Sequence, residues 1–362
     1  MKKILKNDGF QSFVASIICI LIGLLVGFIA LLIIEPSGAV DGMLAIIKNF
    51  MGYSSDVART KYFANTLVYT APLLMCSLSI LFSYKVGMFN IGAAGQYVVG
   101  VAAAIYAALI LHWSWFPCMV LAALAGVVWA VIVGILKAYC NVNEVISGIM
   151  LNWIGLYITN IVLGAAKMPS SPYTYSLEKY ADTAVIPSIG LDKMFKSPYA
   201  GLALPLAILF AIVIWVVLDK TKLGYELKAT GCNKNAAKYA GMAEKKNIVL
   251  TLAISGGLAG LGGAFLYLTD ITQWFLGANS VPDMGFNGIA AAFLGGLNPI
   301  GTIFASYFLE HIMQGGSHLD LTTYCPEVSD MISAIIIYLC GFVGFMKYVM
   351  NKRRDTKKGG EE

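Results

Sequence analysis

The chain has 362 residues, of which 58% are apolar and only 12% charged, and its mean hydropathy is +0.75. A soluble globular protein of this length needs far more polar surface, so the composition excludes that class and indicates a polytopic membrane protein. The formal charge of +5 comes from lysines in loops and tails. Membrane topology accounts for those lysines, so the charge gives no reason to expect a nucleic-acid partner.

Ten apolar runs approach or reach the length of about 20 residues that a helix needs to cross a bilayer. The first, 13–34, follows Lys2, Lys3 and Lys6 and is longer than the apolar core of a cleaved signal peptide, so we interpret it as a retained helix. The others lie at 63–84, 86–111, 115–137, 143–166, 198–218, 247–268, 285–297, 300–314 and 329–349. The sequence therefore predicts an all-α integral membrane protein with about ten transmembrane helices.

Positively charged residues cluster in the N-terminus, in the loop 219–246 and in the C-terminal tail. The positive-inside rule places all three in the cytoplasm. Even numbers of crossings separate them if the two short runs, 285–297 and 300–314, form a re-entrant or broken pair that turns at Asn298-Pro299. Such backbone is tolerated at membrane depth only where protein or a water-filled cavity covers it.

This topology predicts the organisation of the whole chain. A single transmembrane domain, 13–349, contains the cytoplasmic loop 219–246 and lies between a cytoplasmic N-terminus, 1–12, and a basic cytoplasmic tail, 350–362. The loops 35–62 and 167–197 face outside and offer docking surface for an external partner.

No motif of a catalytic class is present. The sequence lacks a Gly-x-x-x-x-Gly-Lys-Ser/Thr phosphate loop, a Gly-x-Ser-x-Gly nucleophile motif and a His-Glu-x-x-His metal motif. Seven cysteines are scattered singly, with no Cys-x-x-Cys pair or histidine partner at zinc spacing, so we expect neither a disulfide framework nor a metal site.

The histidines His112, His311 and His318 lie near predicted span ends, where an interfacial position is the simple interpretation. Glu310 next to His311 leaves a proton site as an alternative, because ionisable residues in a membrane segment are costly. Glu144 begins the fifth run, where the helix dipole favours a carboxylate. Helix capping with Asn143 or Asn141 is one interpretation of this region, and a structural role for Glu144 at the cytoplasmic mouth is the other.

Two apolar segments contain amides. FNIGAAGQYVVG, 89–100, combines Asn90 and Gln96 with three glycines, which suits close approach and hydrogen bonding of an uncharged solute. In the fifth run a small and polar stripe recurs at helical spacing; its members are Gly148, Asn152, Gly155 and Thr159. Helix packing and pathway lining are both open for Asn152. The run SGGLAGLGGA, 255–264, has no amide and predicts tight packing.

The segment MFNIGAA, 88–94, recurs loosely as MGFNGIAA, 284–291, in the opposite membrane direction. Opposed copies of a glycine-rich segment are typical of inverted-repeat transporters at their substrate site, although so short a similarity also arises by chance. The repeat adds Phe89 and Asn287 to Asn90, Gln96 and Asn152 as candidate pathway residues.

Residues 229–246, ATGCNKNAAKYAGMAEKK, interrupt the apolar sequence with alanines and lysines that favour helix. Gly231 and Gly241 interrupt this pattern, so we expect a short amphipathic cytoplasmic helix, bounded by polar turns, that presents Tyr239, Ala240 and Met242 among lysines. A solvated loop that merely fixes topology is one interpretation, and a rigid knob for a groove on a cytoplasmic partner is the other.

KATGCNKNAAKYAGMAEKKNIVLTLAISGGLAGLGGA, 228–264, resembles the cytoplasmic coupling segment of ABC importer permeases of the branched-chain amino acid, simple sugar and nucleoside superfamily. The superfamily pattern Ala-x-Gly-x-Asn-x-x-Ala-Ala-x-x-x-Gly is matched at Ala229, Gly231, Asn233, Ala236, Ala237 and Gly241. FNIGAAGQYVVGVAAA, NEVISGIMLNWIG and GFNGIAAAFLGGLNPIG resemble three further blocks of nucleoside-type permeases for guanosine and other purines. Ala94 stands where that family usually has glutamate, which bears on solute specificity.

The resemblance implies a type II-like ABC importer permease in the bacterial cytoplasmic membrane. It implies partners: a second permease subunit, identical or not, a cytoplasmic ABC ATPase and an external solute-binding lipoprotein. ATP and Mg²⁺ belong to the ATPase, so no cofactor is expected on this chain, and Gly231, Asn233, Ala236, Ala237, Tyr239 and Gly241 are expected to couple to that subunit.

The expected function is nucleoside import by alternating access. A simple sugar or branched-chain amino acid permease is the alternative within the superfamily. A gradient-driven secondary transporter is the alternative outside it, and that class generally uses an ionisable relay inside the membrane.

Overall fold

The computed structural model describes residues 8–319 and, beyond them, 324, 331–332, 334–335, 338–339, 342 and 345. Among these residues, the first seven α-helices in chain order are α1 (Asp8–Ile34), α2 (Ala39–Lys48), α3 (Asp56–Lys85), α4 (Ala93–Leu109), α5 (Trp115–Cys140), α6 (Glu144–Leu163) and α7 (Leu177–Tyr180). The next seven are α8 (Leu191–Phe195), α9 (Ala203–Lys220), α10 (Lys222–Cys232), α11 (Lys234–Tyr239), α12 (Glu244–Tyr267), α13 (Met284–Leu294) and α14 (Pro299–Gly316). Over the described residues β-structure is limited to two isolated bridges, so the predicted all-α fold is confirmed.

Six helices within the described residues are long and apolar enough to cross a membrane: α1, α3, α5, α6, α9 and α12. Two shorter apolar helices, α4 and α13, accompany them. Each corresponds to a predicted run. The run 329–349 lies largely outside the described residues, and the total of ten crossings and the side of each terminus stay predictions.

The chain divides into two compact units, one built from the two ends of the chain and the other from residues 60–289. In the first unit, α2 packs on α1 and α14. Gly315 of α14 lies so close to Ile46 of α2 that a side chain at Gly315 would overlap the Ile46 carbonyl. The His311 ring lies 2.9 Å from the carbonyl oxygen of Ile47 through Nε2, and the Asn49 amide donates to the His311 carbonyl at 2.9 Å.

The predicted turn between the two short runs is present. α13 ends at Leu294, and α14 begins at Pro299 after Gly296 and Leu297, both with positive φ. Asn298 caps α14 by accepting from the N–H groups of Ile300 and Gly301. The 11 residues of α13 span about 16 Å at the rise of an α-helix, roughly half of a hydrocarbon core.

In the second unit, α12 packs on α4 and α5, and α6 packs on α4. Glycines of α12 make this possible because they let helix backbones touch. A side chain at Gly260 would overlap the carbonyl of Ala122 in α5, and a side chain at Gly126 would overlap the carbonyl of Gly256. The prediction of tight packing for 255–264 is therefore confirmed.

Two predicted regions are divided into separate elements in the structure. The predicted run 86–111 is interrupted, because residues 87–92 separate α3 from α4. Gly87, with φ of 77°, turns the chain out of α3, and the buried side chain of Asn90 holds the segment in a non-helical path.

The expected short helix within 229–246 is present as α11. The region contains the end of α10, the separate helix α11 and the start of α12. The chain breaks at Asn233, whose φ of −152° is extended, and at Gly241, whose φ of 80° favours glycine. Tyr239 and Ala240 are exposed as expected, whereas Met242 is half-buried.

We expect Gly260→Val to destabilise the protein by about 1–3 kcal/mol or more, because the new side chain has no space between α12 and α5. Gly164→Val is the matched control, because no atom lies within 4 Å of a Cβ placed there. Thermal unfolding of both variants in detergent measures the difference. Equal midpoints for the two variants would contradict the glycine-mediated contact.

Candidate functional site

The segment between α3 and α4 places Asn90 and Gln96 side by side in the interior. Both side chains are buried, with exposed fractions of 3% and 0%. The Asn90 Nδ2 donates to Gln96 Oε1 at 2.8 Å, and the Gln96 Nε2 donates back to Asn90 Oδ1 at 3.0 Å. The two amides thus form a reciprocal pair.

Two serines extend this pair into a four-residue group, which we call the polar cluster: Asn90, Gln96, Ser79 of α3 and Ser255 of α12. Asn90 Nδ2 lies 2.6 Å from Ser255 Oγ, and the Ser255 hydroxyl donates to the carbonyl of Ser79 at 2.8 Å. The two hydroxyl oxygens are 2.9 Å apart. The cluster therefore joins α3, α4 and α12 by hydrogen bonds in a region shielded from water, where leaving one partner unpaired costs about 1–3 kcal/mol.

Asn152 attaches α6 to the start of α4. Its Oδ1 accepts the Gly95 N–H at 2.8 Å, and its Nδ2 donates to the Ile91 carbonyl at 3.0 Å. No side chain at Gly92 caps α4, so Asn152 supplies from another helix an acceptor for one of the first unpaired N–H groups. Both the oxygen and the nitrogen of the Asn152 amide are therefore hydrogen-bonded to backbone groups.

The rest of the polar stripe on α6 also faces α4. Gly148 lies against Gly92, and a Cβ at Gly148 would be 2.9 Å from the Gly92 nitrogen. The Thr159 hydroxyl donates to the Val98 carbonyl at 3.2 Å. Helix packing is thus the interpretation that the contacts of the polar stripe favour, and pathway lining by Asn152 stays a prediction.

Ala94, at the position where the resemblance leads one to expect glutamate, packs against the start of α13. A Cβ at Gly285 would lie 2.6 Å from the Ala94 Cβ, so the absence of a side chain at Gly285 is what leaves room for Ala94. A longer side chain at position 94 requires this contact to open.

The two copies of the predicted repeat differ in local structure. Asn90 precedes α4 in non-helical chain, whereas Asn287 lies inside the first turn of α13. Phe89 is half-buried and Asn287 is buried. Gly288 lies against α3, with a Cβ there 3.0 Å from Cys76. The roles of Phe89 and Asn287 in a solute pathway stay predictions.

Glu144 forms an ion pair with Lys137 at 2.6 Å, which links the end of α5 to the start of α6. The cap of α6 is Asn143, whose Oδ1 accepts the Val145 N–H at 2.8 Å, and Asn141 ends α5 in the left-handed conformation. The structural interpretation of Glu144 and the capping role of Asn143 are both supported by this geometry.

The lysine-rich segment, residues 219–246, is held in a defined shape by its polar residues. Thr221 caps α10 by accepting the Gly224 N–H, and Asn233 caps α11 by accepting the Ala236 N–H at 3.0 Å. Gly241 ends α11 in a Schellman arrangement, in which the Met242 N–H donates to the Ala237 carbonyl at 3.0 Å.

These contacts explain most of the motif matched in this segment. Asn233 is a cap, Gly241 has a positive φ, and Ala237 is buried while its neighbours are exposed. Gly231 lies against Val86 and Gly87, where a side chain would overlap the Val86 carbonyl. Tyr239 is 94% exposed at the end of α11. The segment is thus a preformed surface on which Tyr239 is the most exposed aromatic side chain among the residues described.

Glu310 and His311 do not form a pair. His311 contacts Ile47 and Asn49, whereas Glu310 is 1% exposed and its Oε1 has no hydrogen-bond partner among the described residues. His112 is exposed after α4, and His318 lies 3.2 Å from Asn49 Oδ1 through its Nε2. In the part of the chain that the structure describes, no group of three His, Cys, Asp or Glu side chains is arranged to hold a metal.

The predicted outer loop 167–197 packs on residues 268–278. Asp270 accepts from the Ser176 hydroxyl at 2.5 Å and from the Leu177 N–H at 3.0 Å, and so fixes the start of α7. Thr174 and Trp274 exchange hydrogen bonds, with Trp274 Nε1 donating to Asn160 at 2.9 Å. The loop is therefore an ordered platform with Tyr173 and Phe275 exposed on it.

Comparison with known proteins identifies the family to which this chain belongs. Residues 62–341 match the family of permease components of the branched-chain amino acid transport system. The chain belongs to this permease family. It is 32% identical to the guanosine ABC transporter permease protein NupP of Bacillus subtilis over 345 residues, which cover 93% of this chain and 97% of that protein.

The permease has further relatives with different named solutes. It is 27% identical to the nucleoside ABC transporter permease protein NupB of Lactococcus lactis, over 98% of this chain and 100% of that protein. It is 29% identical to the glucose ABC transporter permease protein TsgB13 of Haloferax volcanii, over 75% of this chain and 73% of that protein. No solved structure matches the permease.

These matches confirm the resemblance to nucleoside-type permeases that the motifs predicted. The chain is a permease subunit of an ABC transporter and a multi-pass protein of the bacterial plasma membrane.

Sequence reasoning missed four residues of the site: Ser79, Ser255, Gly87 and Asn247. The serines looked like small packing residues in apolar runs, and only the fold brings them to Asn90. Asn247 donates to Thr230 at 2.8 Å and so links α12 to α10. The sequence signal for Asn247 was the presence of an amide one turn inside an apolar helix.

We expect Asn152→Ala to destabilise the permease by about 1–3 kcal/mol, because it leaves the Gly95 N–H and the Ile91 carbonyl without their partner. Ile161→Ala on the same helix is the control, since Ile161 is 78% exposed and its loss is expected to change stability by less than about 0.5 kcal/mol. Thermal unfolding in detergent compares them. An Asn152→Ala protein as stable as the wild type would show that α4 does not need this cap.

Proposed function

We propose that the permease forms, together with a second permease subunit, the translocation pathway of an ABC importer for nucleosides, purine nucleosides such as guanosine in particular. The observation that carries the proposal is the full-length similarity to a guanosine permease at 32% identity, together with the preformed surface of the lysine-rich segment. ATP and Mg²⁺ bind the partner ATPase, and an external lipoprotein delivers the solute.

The composition of the interior supports an uncharged solute. Within residues 60–289 the buried polar side chains are hydroxyls and amides, and no carboxylate, lysine, arginine or histidine is among those that the structure describes as buried. An interior without buried charge among these residues suits an uncharged solute such as a nucleoside, because a buried charged solute needs a compensating charge.

The shape of the lysine-rich segment supports an ATPase partner. One side-chain cap, Asn233, and one left-handed glycine, Gly241, define α11, so the surface around Tyr239 exists before any partner binds, and little ordering entropy is lost on association. ATP binding in the partner shifts the permease between outward- and inward-facing states only if this surface makes different contacts in the two states.

Two alternatives have specific support. Relatives named for glucose and D-allose transport favour a sugar as solute. Glu310, a buried carboxylate with one oxygen lacking a partner among the described residues, is the feature that a gradient-driven transporter would use as a proton site.

Uptake measurements separate these functions. Cells that produce the complete transporter, with and without this permease, are given labelled guanosine, adenosine, uridine, ribose and leucine, before and after ATP depletion with ion gradients clamped. We expect nucleoside uptake that requires both the permease and ATP. Uptake of ribose or leucine alone would refute the solute class, and uptake that persists without ATP would refute the ATP-driven mechanism.

The variant Glu310→Gln is the matched test of proton coupling, because glutamine keeps the shape of the side chain and cannot titrate. We expect its ATP-dependent uptake to stay within about twofold of the wild type. A loss greater than tenfold, together with sensitivity of the wild type to the proton gradient, would support the gradient-driven alternative.

We also expect Tyr239→Ala to weaken binding of the partner ATPase, with a loss of about 1–3 kcal/mol if Tyr239 is an anchor of that interface. Tyr225→Ala in α10 is the control, because Tyr225 is exposed on the same segment and lies outside the matched motif. Co-purification and the ATPase rate of the assembled complex report the difference. Identical behaviour of the two variants would remove Tyr239 from the interface.

A further inference from the structure

The lysine-rich segment touches the transmembrane core through a contact between two glycines. A Cβ placed on Gly87 would lie 2.7 Å from the carbonyl oxygen and 2.9 Å from the Cα of Gly231, and a Cβ on Gly231 would overlap the Val86 carbonyl. The C-terminal end of α10 and the turn that follows α3 therefore meet backbone to backbone.

This contact lies three residues before Asn90, a member of the polar cluster. Gly87 begins the non-helical segment 87–92, and that segment carries Asn90, which bonds Gln96 of α4 and Ser255 of α12. A displacement of the turn at Gly87 acts on Asn90 through only two intervening residues of non-helical chain.

A second contact connects the same two regions. Thr230, next to Gly231, accepts a hydrogen bond from Asn247 of α12 at 2.8 Å, with both side chains buried. Ser255 follows Asn247 on α12 after eight residues, a little over two helical turns. The end of α10 is thus attached both to the segment before α4 and to α12, and these two elements meet at the polar cluster.

We propose that Gly231 and Gly87 form a rigid joint that transmits movement of the lysine-rich segment to the segment 87–92 and so to Asn90. The proposal rests on the proposed function, because it takes an ATPase to be the source of that movement. Gly231 and Gly87 are positioning residues, since they act through Asn90 and touch no solute.

The chemistry of the contact explains why glycine serves this purpose. Side chains between two elements can change rotamer and absorb a displacement, whereas backbone atoms in direct contact cannot, and packed interiors transmit strain. Gly87 also has a φ of 77°, which any other residue adopts only with strain. The joint is therefore stiff because neither partner has a side chain.

The variant Gly231→Ala tests the joint, because its methyl group displaces the turn at Gly87 while leaving α11 and Tyr239 unchanged. Gly164→Ala is the control for the same substitution in open space. The complete transporter is reconstituted in vesicles, and the number of solute molecules moved per ATP hydrolysed is measured with the solute that the wild type carries. We expect this ratio to fall at least fivefold in Gly231→Ala and to stay unchanged in Gly164→Ala.

The number of solute molecules moved per ATP distinguishes a joint that transmits movement from a contact that only stabilises the fold. If Gly231→Ala only impairs folding or assembly, transport and stimulated ATP hydrolysis fall together, and the complexes that remain move the same number of solute molecules per ATP. That result would overturn the proposal. A wild-type transporter without ATP-coupled uptake refutes the proposed function itself. Normal coupling in both the wild type and Gly231→Ala refutes only the joint.

A cross-link provides a second measurement that does not depend on disturbing the glycines. Lys85→Cys is combined with the natural Cys232, both exposed and next to the joint, in a background with Cys140→Ser, Cys325→Ser and Cys340→Ser. We expect a short bis-maleimide to link the two cysteines and to leave at least half of the coupled transport, because the two elements move together. Failure to link the two cysteines would show that the elements separate during the transport cycle. Loss of transport after cross-linking would show the same, provided that a monofunctional maleimide causes no such loss.

Discussion

Direct contact between helix backbones is the constraint on which residues 60–289 depend. Glycines at the contacts of α12 with α4 and α5 remove the side chains that would hold these helices apart. In a membrane the lipid tails are as apolar as the helix surface, so close van der Waals packing and hydrogen bonds between helices must supply the stability that burial from water supplies in soluble proteins. The polar cluster and Asn152 add those hydrogen bonds at the same helices.

The same constraint organises the polar residues. Asn90 leaves the helical path so that its amide reaches Gln96 and Ser255, and Asn152 caps α4 from a neighbouring helix. Asn152 satisfies two backbone groups beside the break between α3 and α4, whereas Asn90 bonds the side chains of Gln96 and Ser255. The break and the amides are therefore parts of one hydrogen-bonded arrangement.

Much of this was accessible from the sequence, for identifiable reasons. Apolar runs located every span that the structure describes because the length and composition of a membrane helix are set by the bilayer. The turn at Asn298-Pro299 could be predicted because proline restricts the backbone. The packing role of 255–264 could be predicted because glycine leaves room for a neighbouring helix. Glycines also indicated interruptions in 89–100 and in 229–246, but the breaks at Gly87 and Asn233 depend on a single dihedral angle and a cap that composition does not reveal. The serines of the polar cluster depend on contacts between residues far apart in sequence, which local pattern does not contain.

The saturation of the polar cluster has a consequence for altering the solute preference of this permease. Asn90 and Gln96 already use their amides on one another and on Ser255, so replacing either one changes the core before it changes what is carried. Phe89 is the adjacent residue with part of its surface free, and no hydrogen bond of the core depends on its ring. Mutagenesis libraries that vary position 89 and keep 90 and 96 fixed would therefore retain a larger share of folded members in which a new specificity can be selected.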